Sequence, residues 1–296
     1  MSSVTDTTSA AITARPRERA IQPRQLVGTA LGYLLLLLAV AIVVFPFVVM
    51  VFSSLKSTPE FYANLWTWPQ SPRLENYRYA WFDVGVLRFM LNSLVVSAGS
   101  MALTVAFGAL AAYAFVRFTF RGQQSLFLLF VTMLIVPLPA MIIPMYVILG
   151  KMFLLDTYLA LIFPYTAAFI PLSIFILRAA FLTFPRELID AAVIDGCNQF
   201  KAFLYVLVPV MRPALATVAV LSFITAWNEF ILALVFVRSP EVATLPLGLQ
   251  AFFYQFSVNW PPLFAALTSS VLPVVVVYVL MQRHVISGLT AGAVKQ

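Results

Sequence analysis

An all-α membrane protein of six helical spans is the fold class this sequence predicts, and three observations carry the prediction. Of its 296 residues, 62% are hydrophobic and only 10% are charged, against roughly 25% charged in a soluble domain. Several apolar runs reach about 20 residues or more, the length needed to cross ~30 Å of hydrocarbon. These runs are continuous rather than alternating. Backbone in lipid must satisfy its polar groups within the segment, so helices are favoured over a barrel.

Residues 1–26 form a polar tail rich in Ser and Thr, with Arg15, Arg17, Arg19 and Arg24. The following run, LGYLLLLLAVA, imitates the apolar part of a signal peptide, with Ala39-Val40-Ala41 placed like a cleavage site. It continues through IVVFPFVVMVF to Phe52, and a run of that length reads as an uncleaved span. Spans are predicted near 27–53, 90–116, 124–149, 158–181, 205–237 and 263–282, with Pro, Gly and charge clusters marking the loops. Residues 27–283 thus form one transmembrane domain, followed by a polar C-terminal tail over 284–296. An even number of spans puts both termini on one side. With that side cytoplasmic, twelve of the eighteen Lys and Arg residues fall in inner segments, as the positive-inside rule requires. Gly196 is then cytoplasmic, and Trp66 and Asn259 are external. The net charge of +7 reflects this orientation and calls for no nucleic-acid partner.

In the loop at 54–89, FYANLWTWPQSPRLENYRYAWF places its rings at an outer interface, either as an aromatic belt or as a surface for an external partner. In the third span, Pro137, Pro139 and Pro144 each remove a backbone donor. That helix is predicted to kink or break.

Between the fourth and fifth spans, DAAVIDGCNQFKAFLYVLVP gathers two Asp, a Gly, an Asn, a Gln and a Lys. Pro185 suits the first turn of a helix. RELIDAAVID has good helix formers and then meets Gly196, which tolerates positive φ just past a helix end. Asn198 can cap a second helix that continues into the fifth span. Leu188, Ile189, Ala192 and Val193 share one face at helical spacing, and the small Ala191 and Ala192 let another backbone approach. An interfacial helix lying on lipid is the alternative. The acidic Glu187, Asp190 and Asp195 match an anionic inner leaflet poorly.

The spacing here resembles the cytoplasmic signature of permease subunits of binding-protein-dependent ABC importers with the type I fold. Asp190-Ala191-Ala192, three residues, Gly196, nine residues and then Val206-Leu207-Val208-Pro209 follow that pattern, with Asp in place of the usual Glu. SFITAWNEFILALVF, LNSLVVS and ISGLTAGAVKQ resemble the carbohydrate-importer branch, the maltose-type second permease. The resemblance implies a coupling helix over 186–200, carrying Glu187, Asp190, Ala191, Ala192, Asp195 and Gly196, that docks on a cytoplasmic ATPase. It also implies a contact of Gly288, Leu289, Thr290 and Lys295 with the ATPase dimer, where a polar tail would otherwise read as disordered. The implied partners are a second permease, two ATP-binding subunits, an extracytoplasmic solute-binding protein and a sugar. The implied place is a bacterial or archaeal inner membrane.

Glu229 is the only acidic residue inside a predicted span. An acidic group deep in a helix costs roughly 2.5–3.5 kcal/mol unless protein or water receives it. Two readings stay open. Trp227, Asn228 and Glu229 line the pathway, with Trp227 stacking on a sugar face, or they make polar interhelical contacts that fix the bundle. On one continuous helix Asn228 and Glu229 point about 100° apart, so a narrow lumen cannot take both squarely.

One cysteine excludes an internal disulfide framework, and one histidine leaves no ligand set for a metal. No G-x-x-x-x-G-K-[ST] occurs, so the chain supplies no phosphate-binding loop. A nucleophile–base constellation is also lacking. The expectation is a non-catalytic transport subunit without a cofactor, powered by ATP bound to partners. The rivals are a permease for glycerol phosphate, a polyamine or an amino acid, and an independent secondary transporter. The latter usually needs several intramembrane charges.

Overall fold

The computed structural model describes residues 23–254 and 257–293, so Arg15, Arg17, Arg19 and Lys295 lie outside the described residues. By internal contacts the chain falls into two units, 1–48 and 49–296. Helix α1 (Pro23–Ser54) begins in the first unit. Its side chains from Leu31 to Val48 are exposed, as expected of an apolar helix meant for lipid or another subunit.

The second unit is built on α4 (Val86–Arg117), α7 (Leu159–Phe181), α11 (Arg212–Asn228) and α14 (Trp260–Ala293), which pack against one another. The α4–α7 pairing is the most extensive. Small residues permit it, because lipid gives helices no hydrophobic drive to associate and close backbone approach takes its place. A Cβ added at Gly108 would collide with Ser173 Oγ. Ser100 and Thr166 lie on the same seam, and both are buried.

Among the described residues, Leu31–Ser54, Val86–Arg117, Leu159–Phe181 and Trp260–Leu280 are long and apolar enough to cross a bilayer. Two bent helix pairs bring the number to six if each is one span. The third predicted span is indeed broken. α5 (Gln123–Met133) ends before Pro137, a 3-10 turn runs over Leu138–Met141, and α6 (Ile142–Lys151) follows at 101°.

The fifth predicted span, 205–237, is not one helix. α9 (Gln199–Ala202), a π-helical turn (Phe203–Leu207) and α10 (Val208–Val210) form an arm that meets α11 at 81°. Pro213 lacks the N–H that would bond residue 209, which explains the bend at Met211. The span breaks again after Asn228, and α12 (Ile231–Phe236) continues it.

The connection after α1 is a built cap. Short helices α2 (Thr58–Ala63) and α3 (Glu75–Arg78) lie in it. Lys56 is fully buried, and its Nζ donates to Asn64 O (2.8 Å), Leu65 O (3.0 Å) and Thr67 Oγ1 (3.4 Å). These bonds stand in for the water that a buried ammonium loses. Trp66 and Trp68 remain exposed. The segment before α14 contains α13 (Leu245–Gly248) and a two-residue antiparallel pairing of β1 (Phe253–Tyr254) with β2 (Ser257–Val258).

Candidate functional site

The helix at the polar interruption is α8 (Arg186–Ile194). Glu187 lies in its first turn, where negative charge suits the helix dipole. Its end is a complete Schellman motif. Gly196 has φ +91°, its N–H donates to Val193 O (3.1 Å), and the Cys197 N–H donates to Ala192 O (2.9 Å). Asn198 then caps α9, its side chain accepting from Lys201 N at 2.8 Å. The helix–Gly–helix geometry is the one the sequence predicts, but the second helix bends before it enters the bundle.

The four apolar residues expected on one face of α8 divide between two. Ile189 is buried and Ala192 half-buried against Tyr113, Phe181 and Phe203. Leu188 and Val193 are exposed, together with Ala191, Asp195 and Ile194, the last at 86%. Helical spacing names residues that can share a stripe, while the surrounding helices decide which of them is covered.

Asp190 is not free. Its Oδ1 lies 2.8 Å from Nη1 of Arg117 at the end of α4. Arg117 Nε donates to Gln199 Oε1 (3.1 Å), and Tyr113 Oη donates to the same oxygen (3.0 Å). Sequence reading missed Arg117, Tyr113 and Gln199. The available signal was a basic residue ending a span and an acid in the interruption, but 73 positions separate them.

Trp227, Asn228 and Glu229 are adjacent in sequence and part ways in space. Trp227 is 3% exposed and stacks on Phe223 with ring centroids 5.8 Å apart. Its ring is filled by the core and not offered to a solute. Asn228 is exposed, and its Nδ2 donates to Ile224 O at 2.9 Å. Glu229 lies in the break with extended backbone, so the 100° argument for a continuous helix does not apply. Its Oε2 accepts from Tyr165 Oη of α7 (2.6 Å), and its carboxylate accepts from Leu232 N (2.9 Å) and Ala233 N (3.4 Å) of α12. A long acidic side chain thus does the work of an N-cap for α12 and is received by protein.

The connections at 156–158 and 238–245 are pinned to the helices by polar groups that sequence reading also missed. Asn92 of α4 donates to Glu241 O and Ala243 O (2.9 Å each) and accepts from Tyr158 Oη (2.8 Å). Ser93 Oγ accepts from Leu245 N at 2.7 Å. Asp156 Oδ1 accepts from Arg238 N, Ser239 N and Ser239 Oγ, each at 2.9 Å. The Ser239 and Arg238 amides hold the Asp156 carboxyl below its usual range. Gly288, Leu289 and Thr290 lie in the last turns of α14.

A multi-pass helical bundle with broken spans and one polar helix–Gly–helix elbow defines the membrane subunit of a transporter. Residues 104–290 match the family described as the binding-protein-dependent transport system inner membrane component, and the chain belongs to that family. It is 38% identical over 252 residues to the sulfoquinovosyl glycerol transport system permease protein SmoH of Agrobacterium fabrum, covering 85% of this chain and 88% of that one. With the arabinooligosaccharides transport system permease protein AraQ of Halalkalibacterium halodurans it shares 33% identity, covering 86% and 92% of the two chains. The fold is also that of a chain in the crystal structure of a bacterial ABC transporter that imports the acidic polysaccharide alginate. There the TM-score is 0.78 at 20% identity, over 89% of this chain and 98% of that one. The protein is a permease subunit of a binding-protein-dependent ABC importer.

Proposed function

We propose that this subunit forms half of the translocation pathway for a sugar, a di- or oligosaccharide, and is coupled to cytoplasmic ATPases through residues 186–200. The observation that carries the coupling role is the outward face of α8, where Ile194 is 86% exposed at the tip of an elbow fixed by Gly196. An apolar side chain held out by a rigid turn suits a groove on a partner. The sugar assignment is supported by the relatives, whose names specify a sulfoquinovosyl glycerol and arabinooligosaccharides.

In this reading a second permease completes the pathway, two ATP-binding subunits hold the nucleotide, and an extracytoplasmic binding protein delivers the solute. The chain itself is non-catalytic and needs no cofactor. It sits in a bacterial or archaeal inner membrane with both termini cytoplasmic. Closure of the ATPases would move α8, and the bundle would pass from inward- to outward-facing. Asn228, exposed beside the break, is the pathway candidate we retain. Gly288, Leu289, Thr290 and Lys295 are a second candidate ATPase contact.

The test is Ile194→Asp in the complex purified with its companion subunits. Loss of the ATPases from a membrane-inserted permease is the expected result, and full retention would overturn the docking role. Titration of the companion binding protein with arabino-oligosaccharides, raffinose and glycerol 3-phosphate tests the solute class. Binding of glycerol 3-phosphate alone would overturn the sugar assignment.

A further inference from the structure

Arg117 touches both limbs of the elbow. Its Nη1 meets Asp190 of α8, before the Gly196 turn, at 2.8 Å, and its Nε meets Gln199 of α9, after the turn, at 3.1 Å. Tyr113, one turn back on α4, supports the same Gln199 oxygen at 3.0 Å. Beneath this polar rim lies the apolar cluster in which Ile189 packs against Tyr113, Phe181 and Phe203.

We propose that Arg117 is the positioning residue of the coupling segment. It fixes the angle between the two limbs and ties them to α4, so that a displacement of docked α8 is delivered to that helix. Asp190, the first residue of the D-A-A triplet, thus binds its own chain through one carboxylate oxygen. Its carboxylate is turned to α4, while Ala191, Ile194 and Asp195 are presented outward. The chemistry fits arginine. A planar guanidinium donates in a fixed fork and can hold two acceptors at once, whereas a lysine ammonium offers a flexible point charge. The inference rests on the coupling role proposed above.

The test uses the complex with its companion subunits in liposomes. A Cys197→Ser background carries Arg88→Cys as a reporter, an exposed position at the outer end of α4. Labelling by a maleimide is followed with and without ATP and orthovanadate. Arg117→Leu removes both contacts and is expected to shrink the nucleotide-dependent change about fivefold, with ATPases still bound. Arg117→Lys keeps the charge without the fork and restores only part of it. A merely structural role would lower the yield of complex while leaving the nucleotide-dependent change of the assembled complexes intact.

The proposal is overturned if Arg117→Leu keeps the full change in assembled complexes, or if Arg117→Lys behaves as the parent does. Ile194→Asp separates the two ideas, since it leaves the Arg117 contacts intact. If it loses the ATPases while Arg117→Leu keeps the full change, only the role of Arg117 falls. If it keeps them, the coupling role falls and this inference with it.

Discussion

Gly196 shows how one backbone angle sets a functional surface. A Cβ there would meet no atom within 4 Å, so the constraint is its φ of +91° and not crowding. A β-branched residue in that conformation costs roughly 1–3 kcal/mol. Gly196→Val should therefore leave insertion intact while lowering ATPase co-purification and uptake. Gly196→Asn should do less harm, since Asn visits the left-handed region readily. Equal retention in all three forms would show that the turn is not needed for docking. Glu229 makes the complementary case, a side chain whose partners set its role. Removing the Tyr165 hydroxyl takes one donor from a half-buried carboxylate, and Glu229→Gln weakens every charge-assisted bond it accepts. Tyr165→Phe and Glu229→Gln should each lower the thermal stability of the extracted complex, by about 1–2 kcal/mol. Their effects should be non-additive, because both act on one contact. Strict additivity would disprove that coupling. Transport altered at full stability would instead point to a pathway role for the carboxylate.

Elements were legible in the sequence where local chemistry decides them. Pro137 and Pro139 announce the break between α5 and α6, and Gly196 followed by Asn198 announces the elbow after α8, because missing donors, positive φ and caps are properties of one or two residues. The second break in the fifth span was not legible. Nothing local in WNEFILAL breaks a helix; the break is held by Tyr165 of α7 and by the N–H groups of Leu232 and Ala233. Trp227, left open between a pathway and a packing role, is a similar case, since only its Phe223 neighbour and the surrounding helices bury it. The connections around Asp156 and at 238–245 lie further still from sequence reasoning. Asp156 pins Arg238 and Ser239 across more than 80 positions, and no periodicity reports such a pair. This clasp has a defined pH response. Its carboxyl is held below the ordinary range by the Ser239 and Arg238 amides. Its stabilisation is thus fully present above the unfolded value of about 3.9 and is lost as pH falls through the lower folded value. Hydrogen exchange at Arg238 and Ser239 should show protection that is flat from about pH 5 to 8 and decays only in acid. Asp156→Asn should reduce that protection at neutral pH. Protection that fell between pH 8 and 5 would contradict the assignment.

At the scale of the whole molecule, the unbroken member of the second unit matters most. α4 runs for 32 residues without a proline, about 48 Å at 1.5 Å per residue. α7 contains Pro164 and Pro171, α14 contains Pro273, and the third and fifth spans are bent. Asn92 and Ser93 hold the connection at 241–245 near one end of α4, while Tyr113 and Arg117 hold the elbow at the other. An unbroken apolar helix longer than the ~30 Å hydrocarbon core has its two ends on opposite sides of a bilayer when it spans it. The cap over 54–83 enters α4 at its Val86 end, and α8 is ion-paired to its Arg117 end. Trp66 and Ile194 are exposed, at 67% and 86%, and should therefore be reached from opposite faces of the membrane. With Cys197→Ser as background, Trp66→Cys should react with an impermeant maleimide added to right-side-out vesicles, and Ile194→Cys only in inverted ones. This polarity follows from the excess of Lys and Arg in the segments on the elbow side. Reaction of both sites from one face would refute α4 as a full span and the six-span topology with it. Reversed polarity would keep the span and place the elbow outside, away from any source of ATP.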